Sequence, residues 1–222
     1  MKPPPDRLYG RQRTHALRPR QQLLLDVTLP RLAFNPGDSS GFSKIWLEVG
    51  FGGGEHARAL IAAHPDVLLV ACEVFEQGLC SMLAALVPEG GEAGAPLPGN
   101  LRIWPEDARV LLRAMPQASL NRAFLMFPDP WPKARHAKRR FVHPETVKLL
   151  ASRMKPGAEW RIATDDPTYQ AWVEEVMGAQ DLFGGGRVKP EGWPPTRYQA
   201  KALAAGRVPF FWIYRRKEGL PF

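Results

Sequence analysis

Two stretches of the chain combine residue types that a merely structural segment has little use for. The first is Trp46-Leu47-Glu48-Val49-Gly50-Phe51-Gly52-Gly53-Gly54-Glu55. Glycines at this density let a backbone approach a ligand closely, and a helix start behind them favours a bound anionic group. The dinucleotide fingerprint G-x-G-x-x-G fails from Gly50, because Glu55 stands at its last glycine position. Starting it at Gly52 pushes the turn into the following helix. The form that fits is E-x-G-x-G-x-G, with Glu48 two residues before the first of Gly50, Gly52 and Gly54. An acid there suits a ligand with a cationic head, such as an amino-acid ammonium, better than a pyrophosphate. A plain strand-to-helix turn is the alternative reading. Glu73 follows about twenty residues on, where a carboxylate can accept both hydroxyls of a ribose. Asp107 can accept from an adenine amino group, or can equally cap the helix that starts there.

The second stretch is Phe127-Pro128-Asp129-Pro130-Trp131-Pro132-Lys133-Ala134-Arg135-His136-Ala137-Lys138-Arg139-Arg140. Prolines at every second position exclude a helix or a central strand and demand a stiff loop. Asp129 is then held rigidly beside Trp131, an aromatic that can stack on a base. Lys133, Arg135, Lys138, Arg139 and Arg140 can grip phosphates. Downstream, Thr164-Asp165 ends an apolar run, and Thr196-Arg197-Tyr198-Gln199 offers polar groups suited to a base edge. Tyr169 and Trp172, three apart on a helix, read as core. Cys72 and Cys80 read as buried thiols, and the five histidines show no metal-ligand spacing.

These residues need a frame. Apolar runs at 45–49, 67–72, 101–104, 120–127 and 159–163 alternate with helical patterns at 55–64, 77–87, 107–114, 144–154 and 167–178. Continuous apolar strands separated by helices predict an α/β domain with a parallel sheet covered on both faces. Segment 208–214 reads as a last strand, 88–99 as a flexible surface loop, and Gly184-Gly185-Gly186 as part of a late loop. Residues 1–34 read as a mobile basic arm with a short ordered stretch at 21–25. Residues 35–222 make the single domain.

Composition bounds the function. With 222 residues and 45% apolar content, the chain is one ordinary globular unit. No apolar run reaches the length of a membrane span, and two cysteines make neither a disulfide scaffold nor a zinc site. A soluble cytoplasmic protein is expected, with no membrane and no metal. The net charge of +8 is concentrated: residues 1–20 carry six bases against one acid, and 131–140 carry five bases and none. A near-neutral body with two basic segments suits a nucleic-acid partner, although solvated basic surfaces would read the same.

The segments LEVGFGGGE, FPDPWPKARHAKRR, TDDPTYQAW and TRYQAKALAAG resemble the bacterial tRNA (guanine-N7-)-methyltransferase family, from about Lys44 to Tyr214. The resemblance implies a Rossmann-like methyltransferase fold with a mostly parallel seven-stranded sheet and S-adenosylmethionine as donor. It implies N7 of a guanine in tRNA as acceptor, at position 46 of the variable loop. It places Glu48, Glu73, Asp107 and Asp129 at cofactor positions, with Asp129 also catalytic. Lys133, Asp165 and Thr196 to Gln199 fall at substrate positions, and Arg135, Lys138 and Arg139 extend them on charge. Gln199 stands where the family has Glu, and Ala202 where it has Gly. A monomer or weak homodimer is expected. Three other readings stay open. The Asp129-Pro130-Trp131 loop is similar to that of methyltransferases acting on exocyclic amines of adenine or cytosine. A nicotinamide-dependent dehydrogenase would use the same crevice, and a non-catalytic RNA-binding module would need only the bases.

Overall fold

The computed structural model describes residues 15–38, 41–194 and 196–219. Seven strands form one sheet: β1 Lys44–Val49, β2 Val67–Cys72, β3 Leu101–Trp104, β4 Leu120–Met126, β5 Met154–Thr164, β6 Phe183–Arg187 and β7 Phe210–Arg216. Their spatial order is β3-β2-β1-β4-β5-β7-β6. Strands β1 to β5 pair in parallel, and β7 runs antiparallel between β5 and β6. The winding direction reverses between β1 and β4, and the crevice above the carboxyl ends of those strands is where such sheets bind ligands.

Every residue of β2, Val-Leu-Leu-Val-Ala-Cys, is buried, as a central strand with both faces covered requires. Leu68, Val70 and Cys72 join the core beneath α4 Ala108–Ala114, α5 Pro144–Arg153 and α6 Pro167–Gly178. Val67, Leu69 and Ala71 join the core beneath α2 Glu55–Ala63 and α3 Glu76–Leu86. Tyr169 and Trp172 lie in the first of these cores, and both cysteines are buried, all as expected. Among the described residues no helix is long and apolar enough to cross a membrane.

Three segments differ from the sequence reading. The ordered stretch near the amino terminus is longer than 21–25. It runs as α1 Pro19–Leu23, then a wide turn Leu24–Thr28 and a tight one Leu29–Leu32. Leu24 and Leu32 are sunk in the α2–α3 core, which fixes this length of chain to the domain. The rest of the arm, residues 1–14, lies outside the described residues. Segment 88–99 is tied down rather than loose. The Arg20 guanidinium donates to Glu92 at 2.8 Å and to the Val87 carbonyl at 2.9 Å, and the Thr28 hydroxyl donates to the Glu92 carbonyl at 2.8 Å. The late glycines are not loop but strand β6. Gly185 has φ +137°, and a Cβ there would strike the Ile213 carbonyl of β7, so the missing side chains are what let the two backbones pair.

Candidate active site

The chain leaves β1 with the Gly50 and Phe51 amides both donating to the Cys72 carbonyl, which bends it toward β2. Gly50, Gly52 and Gly54 then take φ of +74°, +57° and +81°, so the every-second-residue pattern answers three left-handed turns. At Gly54, just before α2, a Cβ would also collide with Met82 on α3. At Gly52 a Cβ would approach the Tyr198 ring at 3.4 Å, so this glycine keeps the floor of the crevice low.

Above that floor lies a cleft of about 630 Å³. Gly50, Gly52, Glu73, Phe127, Asp129, Trp131, Arg139, Phe141 and Tyr198 line it. Its size falls within the roughly 300–1,000 Å³ of small-molecule sites. A side hollow of about 130 Å³ shares Glu73, Arg139 and Phe141 and adds Asp107 and Arg109.

Glu73 is locked in place. Its Oε2 accepts from the Gly52 amide at 2.7 Å, and its Oε1 accepts from the amides of Val74 and Phe75 at 2.8 and 3.0 Å. A carboxylate has about four acceptor sites, so three are filled and room remains for one further hydroxyl rather than two. Burial pushes the Glu73 carboxyl above its ordinary pKa. The amides of Phe75, Gly52 and Val74 pull the other way, and the nearby Asp129 charge adds to the rise. Asp107 caps α4, accepting from the Arg109 amide at 2.8 Å, and both its oxygens also meet the Arg109 guanidinium. The capping alternative is therefore what its own backbone uses it for, while its position on the side hollow keeps it within reach of a ligand. Glu48 does not line the cleft. It is 1% exposed on β1, its Oε1 lies 3.1 Å from His56 Nδ1 on α2, and its Oε2 has no hydrogen-bond partner among the described residues.

The proline loop is stiff and strained. Phe127 and Trp131, at its two ends, take φ of +52° and +44°, a region that costs bulky L-residues about 1–2 kcal/mol each. Such strain persists only where the surroundings over-determine it. Here the Phe127 amide donates to the Ala163 carbonyl at 2.8 Å, and the Arg139 guanidinium sits 4.8 Å over the Trp131 ring. Arg140 donates to the carbonyls of Pro130 at 3.2 Å and Trp131 at 3.0 Å, with its guanidinium 4.8 Å over Trp172. Between these anchors Asp129 is exposed and faces the cleft. Arg140 is thus a correction to the sequence reading: only 4% exposed, it clamps the loop and cannot reach a phosphate. Lys133, Arg135 and Lys138 are exposed beyond the rim, while Arg139 turns inward to line the cleft.

The remaining expected residues divide. Tyr198, half exposed on α7 Arg197–Ala204, closes the cleft wall opposite Gly52. Thr196 is buried, and its hydroxyl caps α7 by accepting from the Gln199 amide at 2.9 Å. Arg197 is exposed and Gln199 half-buried, and neither lines the cleft. Asp165 pairs with Arg207 at 2.5 Å on the same upper edge. Sequence reasoning missed the partners His56, Arg109 and Arg207: His56 and Arg207 come from other parts of the chain than the acids they meet, whereas Arg109 lies two residues after Asp107 in the turn that Asp107 caps. It also missed Phe141, whose role in the cleft has no signature beyond following the basic run.

The fold is that of the α/β methyltransferases. Two solved structures share the architecture: the 16S rRNA methyltransferase KamB, with a TM-score of 0.56 at 17% identity over 82% of this chain and 91% of its own, and the 16S rRNA (adenine(1408)-N(1))-methyltransferase of Catenulisporales acidiphilia, with 0.53 at 15% over 85% and 98%. Residues 43–210 match the family model described as "Putative methyltransferase". The tRNA (guanine-N(7)-)-methyltransferase of Granulibacter bethesdensis is 67% identical over 98% of both chains. That of Paramagnetospirillum magneticum is 41% identical over 95% of this chain and 93% of its own. The chain belongs to the tRNA (guanine-N7-)-methyltransferase family.

Proposed function

We propose that this protein transfers the methyl group of S-adenosylmethionine to N7 of a guanine in tRNA, at position 46 of the variable loop, in the cytoplasm. The observation that carries the reading is a rigid acid and an aromatic, Asp129 and Trp131, facing one cleft with Glu73 and Tyr198, with exposed bases just outside it. The residues fit the donor: Gly52 leaves room over the backbone, and the Glu73 carboxylate keeps one acceptor site for a ribose hydroxyl. Asp107 lies on the side hollow for the adenine, and Gly50 forms the floor between them. When bound, S-adenosylmethionine supplies an electrophilic methyl group on a sulfonium.

Guanine N7 carries an in-plane lone pair and no proton, so its methylation needs no general base. The protein's task is alignment and electrostatics. Asp129 orients the guanine and offsets the positive charge that develops on its ring. Trp131 and Tyr198 offer faces on which the extruded base stacks. Lys133, Arg135 and Lys138 hold backbone phosphates without reading sequence, and Arg197 and Gln199 approach from α7. Gln199 retains an acceptor oxygen and adds a donor. Incubation of the full-length protein with methyl-labelled S-adenosylmethionine and bulk tRNA, followed by nucleoside analysis, tests the reading. Label in 7-methylguanosine is expected. Label on an exocyclic amine of adenine or cytosine, or none, overturns it.

A further inference from the structure

Lower on the sheet, away from the cleft, one carboxylate meets three guanidinium groups. Glu159 on β5 lies 3.0 Å from Arg161 of the same strand, 3.1 Å from Arg122 on β4 and 2.6 Å from Arg215 on β7. The strand register sets this row: Arg122 pairs with Glu159, and Glu159 pairs with Arg215. Arg161, two residues along, points to the same face. One acid against three bases leaves an excess of two positive charges. Solvent reaches all four side chains, which are 24% (Arg122), 16% (Glu159), 17% (Arg161) and 62% (Arg215) exposed.

Two further observations give the row a partner. Two of the three guanidinium groups are seated on aromatic faces, Arg122 4.4 Å over Trp46 and Arg161 5.1 Å over Trp193. Such seating fixes planar, bidentate donors with little entropy left to lose, the geometry that suits phosphate. The row is also continuous with the cleft. Trp193 packs edge-on against Phe211 at 5.5 Å, and Phe211 against Phe127 of the proline loop at 6.4 Å. Along β4, Arg122 lies five residues before Phe127, about 16 Å, the reach of a few nucleotides. Burial, and the neighbouring Arg161 and Arg215 charges that Glu159 only partly balances, loosen the Arg122 guanidinium's hold on its proton. An incoming anion would relieve that imbalance.

We propose that Arg122, Arg161 and Arg215 form a second phosphate-binding surface, which takes the tRNA backbone as it leaves the methylation cleft. The proposal rests on the tRNA reading above and extends it to a face of the sheet outside the catalytic loop.

The test is tRNA binding by the full-length protein at several salt concentrations, with S-adenosylmethionine affinity measured alongside. Three variants are compared with wild type: Arg122→Gln with Arg215→Gln, Arg215→Gln alone, and Glu159→Gln. The double variant should flatten the log–log salt slope by about one to two units and weaken tRNA binding several-fold at moderate salt. Arg215→Gln, at an exposed position that does not threaten folding, should flatten it by about one unit or less. Glu159→Gln should act in the opposite direction, with tighter binding and a steeper slope. A merely structural cluster would not produce opposite signs. Cofactor affinity should not change in any of them. Wild-type slopes in both arginine variants, or a Glu159→Gln that weakens binding, would overturn the proposal. So would arginine variants that alter sedimentation while leaving tRNA affinity intact, which would assign the face to a second copy of the chain. A wild type that binds no tRNA would overturn the tRNA reading itself, whereas a wild type that binds tRNA while the variants behave as it does overturns this inference alone.

Discussion

Asp129 is an exposed acid held at one place by two strained neighbours, so removing its carboxylate takes away charge without taking away packing. Asp129→Ala should therefore keep the wild-type melting temperature and lose most methylation. Turnover within about threefold of wild type, under ~1 kcal/mol in the barrier, would remove the assigned role. Glu73 is the opposite case, because three backbone amides depend on it. Glu73→Ala should weaken S-adenosylmethionine binding by about 1–3 kcal/mol and lower thermal stability as well, which calorimetry reads on the tRNA-free protein. Its pH dependence has two signs. With the folded pKa raised, chiefly by burial, the folded protein takes up the proton more readily than the unfolded chain. The group then costs stability above its unfolded pKa, and that cost is relieved as pH falls through the folded pKa. Donor binding runs the other way and should fade on acidification at a pH above the usual glutamate range. Titrating cofactor affinity from about pH 7 to about pH 4 checks this.

Elements place these residues, and each rests on a few positions. Gly54 combines φ +81° with no space for a Cβ against Met82. Gly54→Ala should destabilise the fold by roughly 2 kcal/mol or more, seen as a shifted denaturant midpoint, since it adds backbone strain to overpacking between α2 and α3. The proline loop rests on Arg140. Arg140→Ala should lower both melting temperature and turnover while leaving the salt dependence of tRNA binding intact. If that variant instead flattens the salt slope with unchanged stability, Arg140 reaches phosphate and the clamp is misassigned. Adjacent bases with opposite duties were not separable in the sequence: Arg139 and Arg140 share type and neighbourhood, and only the turn Ala134–Arg139 aims one at the cleft and the other at loop carbonyls. Strand β6 was illegible for a related reason. Three glycines have no strand propensity of their own, and their pairing comes from the backbone of β7.

Across the whole molecule, charge and shape meet on the side of the sheet where the cleft opens. Lys133, Arg135 and Lys138 stand exposed past its rim. If about four phosphates are held, tRNA affinity should fall with a log–log salt slope near −3, on a single-strand coefficient. Arg135→Gln with Lys138→Gln should flatten that slope by about one to two units and leave cofactor affinity unchanged. A wild-type slope near zero would make the basic loop a solvated surface.

The glycine turn, the rigid acid-bearing loop and the five strands of a parallel sheet were all legible in the sequence, though not the order of those strands. Glycine and proline act through their own covalent geometry, and continuous apolar runs bury both faces wherever they are placed. Tertiary structure alone decided which acid lines the cleft and which is shut away, as Glu73 and Glu48 show. It also decided that residues 19–32 are held on the domain, and that Glu159 gathers arginines from three strands. Burial and pairing are properties of neighbours brought from far along the chain, and no residue carries that information in its type.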